Sequence, residues 1–433
     1  MSRRLRTWLE NATYVQFSIF AGAVAFVTYF SMYAFRKPYA VASFADAGNV
    51  WGVGMKSAFV ISQTLGYAAS KFLGIKFVSE APRAHRAVAL VAIIGVAEFA
   101  LLLFGLLPGH WKILAIAMNG LPLGMVWGLV FSFLEGRRTS DALGAILSAS
   151  FIMASGVVKS VGAALLARGV PEFWMPFTTG LLFLPVICLM GWLLAQIPPP
   201  SDEEERLRTR REPMSGPERT QFLIAFLPGA LLITFMAMVL TAFRDVRDNF
   251  AAEVWVGLGY EGQPGIFGST ETGVAIVVLF VLGLMVIVKD DRRALQTQLA
   301  LMTGGVALMG VATLAWDFSL IGGMWWMVLA GIGLFTAYVP AGCFLFDRLI
   351  GATQFVGTAV FMIYVTDAFG YAASVAVLLY KNFVQPDLEW VSFLRVFGYF
   401  ASVAGVVAFG FSLVYFSEGL RRPWASDAGE PEC

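Results

Sequence analysis

The sequence is poor in charge. Of 433 residues only 14% are Asp, Glu, Lys or Arg, while 58% are hydrophobic; soluble domains carry about 25% charge. That shortfall excludes a secreted module, a disordered chain and a DNA-binding domain. The net charge of +1 gives no bulk attraction to nucleic acid, so no nucleic-acid partner is expected. Histidine is almost missing. His85 and His110 are the whole supply, which leaves no histidine-based metal site and no Ser/His/Asp arrangement for an enzyme. Cysteine is scarce and scattered, at Cys188, Cys343 and Cys433, and makes neither a disulfide framework nor a metal cluster. No Gly-x-x-x-x-Gly-Lys-Ser/Thr loop is present, so ATP does not drive this chain, and no cofactor is expected.

Long apolar runs are abundant. Twelve lie near 14–35, 55–77, 87–107, 111–133, 142–167, 173–197, 220–243, 266–288, 295–316, 320–346, 353–380 and 390–416. Each is long enough to span a bilayer and must be helical, because lipid offers no partner to a bare peptide group. The alternating ten-residue pattern of a membrane barrel is absent. The first run is too long for a signal-peptide core and is read as a retained helix. The prediction is an all-α membrane protein of twelve transmembrane helices in two pseudo-symmetric six-helix bundles.

Most Lys and Arg fall on one side if the N-terminus is cytoplasmic, which predicts both termini inside. The exceptions at outer ends are Arg36, Lys37, Lys56, Lys112, Arg168, Arg244, Arg247 and Lys381. One polar insert opens with Pro198-Pro199-Pro200 and continues through an acidic run into Arg206, Arg208, Arg210 and Arg211. It reads as a solvated cytoplasmic linker. The expected organisation is an N-terminal bundle over 1–197, a linker over 198–219, and a C-terminal bundle with its tail over 220–433.

The halves echo each other in charge. Ala34-Phe35-Arg36 ends the first span, and Ala242-Phe243-Arg244 ends the seventh at the same depth. Two-fold repeats place substrate sites where the halves meet. Both arginines could instead anchor at headgroups, and Asp248, four residues after Arg244, could neutralise it along the helix. If the first helix continues to about Phe44, Arg36 lies inside the protein. Lys71, Glu98, Lys159 and Asp367 also lie within spans, with Glu271 near an outer end. A charge at bilayer centre costs roughly 2.5–3.5 kcal/mol, so these groups need internal partners or a watery cavity. Four cations, Arg36, Lys71, Lys159 and Arg244, suit an anion with several oxygens. Tyr29 and Tyr33 share a helical face with Arg36, and Tyr67 precedes Lys71 by one turn. Their hydroxyls could serve the same anion.

At these residues the chain resembles the major facilitator superfamily and, within it, the organophosphate:inorganic phosphate antiporters such as the glycerol-3-phosphate and hexose-phosphate transporters. The likeness rests on Tyr29, Tyr33, Arg36 and Lys37 in the first helix and on Tyr67-Ala68-Ala69-Ser70-Lys71-Phe72 in the second. It rests also on Arg244 in the seventh, Tyr338-Val339-Pro340 in the tenth and Phe369-Gly370-Tyr371 in the eleventh. Glu271 matches an acidic residue of the eighth. The resemblance implies that Arg36 and Arg244 grip the phosphoryl group, that two bundles rock about a central site, and that the protein works as a monomer. A bacterial inner-membrane location goes with it. The chain departs from the pattern at Lys159, where the family has histidine. It departs again at Gly74-Ile75-Lys76-Phe77-Val78-Ser79-Glu80, which lacks the Gly-x-x-x-Asp-Arg loop.

The expected function is therefore a secondary transporter of an organic or phosphorylated anion. It would work by phosphate antiport, or by proton symport through Glu98, Glu271 or Asp367. The alternative is a transporter-like sensor that binds an anion and signals to a partner.

Overall fold

The computed structural model describes residues 2–50, 52–80, 82–134, 140–199, 216–285, 287–288, 290–343, 345–353 and 359–419. Most of the expected linker and the residues after 419 lie outside these. Each of the twelve predicted spans carries helix. In chain order the helices are α1 (Ser2–Glu10), α2 (Tyr14–Met32), α3 (Met55–Glu80), α4 (Arg83–Leu106), α5 (Trp111–Leu123), α6 (Val126–Phe131), α7 (Ser140–Ala167) and α8 (Met175–Leu194). They continue as α9 (Gly216–Asn249), α10 (Ala251–Gly257), α11 (Gly265–Met285), α12 (Asp291–Asp317), α13 (Gly323–Cys343), α14 (Leu345–Thr353), α15 (Ala359–Phe383) and α16 (Trp390–Gly419). Among the described residues nine helices are long and apolar enough to cross a membrane. The helices of the other three predicted spans, α3, α9 and α15, contain Lys71, Arg244 and Asp367. This is an integral, multi-pass membrane protein.

Local chemistry explains the element ends. Thr13 caps α2 with its hydroxyl on the Gln16 amide while the Gln16 side chain accepts from the Thr13 amide, a reciprocal capping box. The fourth span is divided into α5 and α6 next to Pro122, which removes an amide donor from the ladder. A short hairpin, β1 (Asn49–Val50) against β2 (Val53–Gly54), is antiparallel and links the first and second spans. α1 is an element the hydropathy reading missed. Its Leu5 and Leu9 share one face, and Leu9 is buried.

The chain forms two compact units. The first comprises 1–208, 244–279 and 374–394, and the second 209–243, 280–373 and 395–433. In the first unit, α3 and α5 approach backbone to backbone. A Cβ at Gly120 would collide with the Gln63 carbonyl oxygen, and one at Gly66 with that of Ala117, the small-residue contact that lets membrane helices close. α7 meets α11 in the same way, with Gly156 against Phe267 and the Gly268 amide donating to the Ser160 hydroxyl at 2.9 Å. In the second unit, α12 and α13 share the Trp316–Trp326 stack at 4.2 Å, and the Trp326 indole donates to Thr313 at 3.1 Å.

Candidate functional site

The first helix does not run on to Phe44. α2 ends at Met32, and the chain tightens into 3-10 turns over Tyr33–Phe35 and Pro38–Val41. Pro38, which has no amide to donate to a continuing ladder, takes the first position of the second turn. Arg36 is nevertheless buried, at 7% exposure. Burial inside the fold, rather than anchoring at the headgroups, is what the structure gives it. In a 3-10 turn, residues three apart eclipse, and the Arg36 guanidinium lies 5.9 Å from the Tyr33 ring centroid. It stacks more closely on Tyr67 of α3, at 3.8 Å. Tyr29 and Tyr33 meet edge to face at 5.7 Å, and all three tyrosines are buried.

The carbonyls freed by the break have partners. The Asn119 amide on α5 donates to Phe35 O at 2.9 Å and to Ala97 O at 3.0 Å. The Gln63 amide on α3 donates to Arg36 O at 3.0 Å and to Asn119 Oδ1 at 2.8 Å, and its oxygen accepts from the Tyr39 hydroxyl at 3.2 Å. Unsatisfied helix-end carbonyls in such an interior would be costly.

The C-terminal end of α9 brings the second arginine. Here the structure corrects one expectation. It is Asp245, not Asp248, that meets Arg244, accepting from Nε at 3.1 Å and from the terminal nitrogen at 2.8 Å. Ser374 holds the other Asp245 oxygen at 2.8 Å. Asp248 instead lies between two lysines. Lys37 is 2.5 Å from Oδ2, while Lys159 and the Ser155 hydroxyl both reach Oδ1. Lys37 also donates to Asn249 at 2.8 Å. Lys159 is buried, at 3% exposure. Two more pairs lie in the same unit. Lys56 is 2.5 Å from Glu253 and donates to Ala40 O at 2.6 Å, and Arg247 is 2.8 Å from Glu271.

Of the predicted site residues, Arg36, Lys159, Arg244, Tyr29, Tyr33 and Tyr67 belong to one compact unit, with Glu98 and Glu271. Tyr338, Asp367 and Tyr371 belong to the other unit, with Tyr371 buried. Lys71 lies on α3, with its side chain outside the described set. Glu98 is 6% exposed, and neither carboxylate oxygen has a hydrogen-bond partner among the described residues; the group packs against Gly180 of α8. Glu271 is held by a buried arginine.

Sequence reasoning missed five participants, Asp245 among them. The sequence places Lys37 among the outer-end basic residues and offers Asp248 only as a possible neutraliser of Arg244. Gln63 and Asn119 were passed over, although an uncharged amide in the middle of an apolar run is a signal for a buried polar contact.

Comparisons with solved structures bear on the fold. The structure of a mutant of the nucleoside transporter NupG is similar over 92% of this chain and 99% of that one, with 13% identity and a TM-score of 0.59. A peptide transporter POT variant in complex with alafosfalin matches over 96% and 99%, with 14% identity and a TM-score of 0.61. A D-xylose-proton symporter matches over 92% and 97%, with 14% identity and a TM-score of 0.60. At such low identity the likeness shows the fold, which is that of the major facilitator transporters. No curated protein matches at the level of sequence. The model of the family of unknown function DUF5690 matches residues 38–419, and the chain belongs to that family.

Proposed function

We propose that the protein is a secondary transporter of a small organic or phosphorylated anion, working by alternating access. One observation carries the reading: Arg36, Lys37, Lys159 and Arg244 gather in one compact unit, three of them buried. Enclosing that much positive charge at membrane depth is unfavourable without anions to answer it. Among the described residues, Asp245 meets Arg244, and Asp248 meets Lys37 and Lys159. A carboxylate or phosphoryl group suits the guanidinium fork of Arg36, and the tyrosine hydroxyls add donors.

The lysine–aspartate–lysine link has a second role in this reading. Lys37 and Lys159 belong to the N-terminal half, and Asp248 to the second half of the sequence. The link ties those segments together in the conformation described. Opening the path on that side requires the link to part, and an arriving anion lowers the cost by taking over one of the lysines. The structural neighbours include transporters and a proton symporter by their descriptions, which supports the carrier class.

Two coupling modes fit the residues. Exchange against phosphate follows from the resemblance to the organophosphate antiporters. Proton symport would use a carboxylate such as Glu98, enclosed without a partner among the described residues. The test is counterflow in proteoliposomes with labelled phosphate, glycerol-3-phosphate and succinate. Saturable accumulation supports the carrier, and its dependence on an imposed pH gradient separates symport from exchange. Saturable binding without flux would replace the carrier with a sensor.

A further inference from the structure

Arg36 is held at two points by one face of α3. Gln63 and Tyr67 are one helical turn apart. Gln63 takes the Arg36 carbonyl at 3.0 Å, and Tyr67 takes the guanidinium at 3.8 Å. Asn119 completes the frame from α5, fully buried, by taking the carbonyl of the preceding residue, Phe35, at 2.9 Å. The two amides are joined to each other at 2.8 Å. Their meeting depends on Gly120, whose lack of a side chain lets α5 approach the Gln63 backbone. Both amides are neutral, so neither alters the charge balance of the site. Their effect is geometric: they fix the backbone on either side of the arginine where α2 has given up its regular ladder.

We propose that Gln63 and Asn119 are positioning residues that set the affinity of the site for its anion by fixing the direction of Arg36. The proposal rests on the reading above that Arg36 meets the anion. A long side chain on a broken helix end samples many directions, and holding it ready lowers the entropy lost on binding. If either amide is lost, the carbonyls of Phe35 and Arg36 seek other partners and the turn shifts. The arginine remains in place chemically but no longer points in one direction.

The experiment compares wild type with Asn119→Leu, Gln63→Met, Arg36→Lys and the double variants, all purified in detergent. Inorganic phosphate and succinate are the probes, with binding measured by scintillation proximity. Asn119→Leu and Arg36→Lys should each weaken probe binding at least tenfold, and the pair together should bind no worse than Arg36→Lys alone. Losses that multiply would overturn the proposal, because a general packing defect adds to an arginine defect rather than vanishing behind it. Gln63→Met gives the same comparison if Asn119→Leu does not fold. A second readout does not need a ligand. Hydrogen–deuterium exchange over residues 33–41 should quicken in Asn119→Leu and Gln63→Met but not in Arg36→Lys. Unchanged exchange in both amide variants would overturn the proposal. Failure of wild type to bind either probe would count against the anion reading itself, with the exchange result still deciding whether the amides hold the turn.

Discussion

Asp248→Ala is the most exacting perturbation. The carboxylate serves two ammonium groups at once, Lys37 at 2.5 Å and Lys159 on the other oxygen, and both lysine side chains are at or below 5% exposure. Removing one partner of a buried pair costs about 3–5 kcal/mol, since the remaining charge is stranded. Here two charges are stranded, so the upper end applies. At about 2 °C per kcal/mol, the low end for large domains, the melting midpoint should fall by roughly 10 °C. Lys159→Met in the same background removes one stranded charge and should recover a large part of that loss. Lys159→Met alone leaves Asp248 with Lys37 and should cost less than Asp248→Ala. The assay is intrinsic fluorescence on heating in detergent, at low and high salt. Salt should change little, since buried pairs are weakly screened. An Asp248→Ala midpoint within 1 °C or so of wild type, or no recovery in the double variant, would refute the reasoning that the lysines depend on this carboxylate.

Other outcomes follow from the same structure. Arg36→Lys keeps the charge but loses the planar fork and the stack on Tyr67; a charged hydrogen bond worth about 1.5–3 kcal/mol predicts roughly 10- to 150-fold weaker anion binding with little change in melting. Gly120→Ala should fail to accumulate in membranes because its methyl collides with the Gln63 carbonyl. Gly304→Ala, with no atom within 4 Å of the added carbon, should raise stability by about 0.5–1 kcal/mol as a plain helix substitution; expression and melting compare the two. Glu98→Gln keeps the shape of the packed side chain and removes its proton, so it should abolish accumulation driven by a pH gradient while leaving counterflow intact. Loss of both would place Glu98 in the structure of the site instead.

The twelve spans were legible because bilayer physics writes them as long apolar runs, and each of those runs carries helix among the described residues. Arg36, Lys159 and Arg244 were legible too, as charges where hydropathy makes charge costly. What periodicity could not show was the break after Met32. A helix continuing to about Phe44 is the sequence's route to a buried Arg36, with Pro38 the signal against it; the structure buries Arg36 without it. Pairing was equally hidden. Spacing along α9 pointed Asp248 at Arg244, but Asp245 at the adjacent position reaches that guanidinium, and the lysines reach Asp248 from far away in sequence. Such long-range choices depend on how helices pack, which no local pattern encodes. The short α1 was missed because it is too polar to register as a span and shows itself only in the four-residue spacing of Leu5 and Leu9.

The central claim is that Arg36 and Arg244 serve one anion. The most direct measurement is the thermal shift of purified wild type, Arg36→Lys and Arg244→Lys titrated with phosphate, glycerol-3-phosphate and succinate, since a ligand stabilises in proportion to occupancy. The account predicts that at least one of these anions raises the wild-type midpoint in a saturable way and that each substitution abolishes the rise. An equal rise in all three proteins, or a rise lost in only one variant, would contradict it.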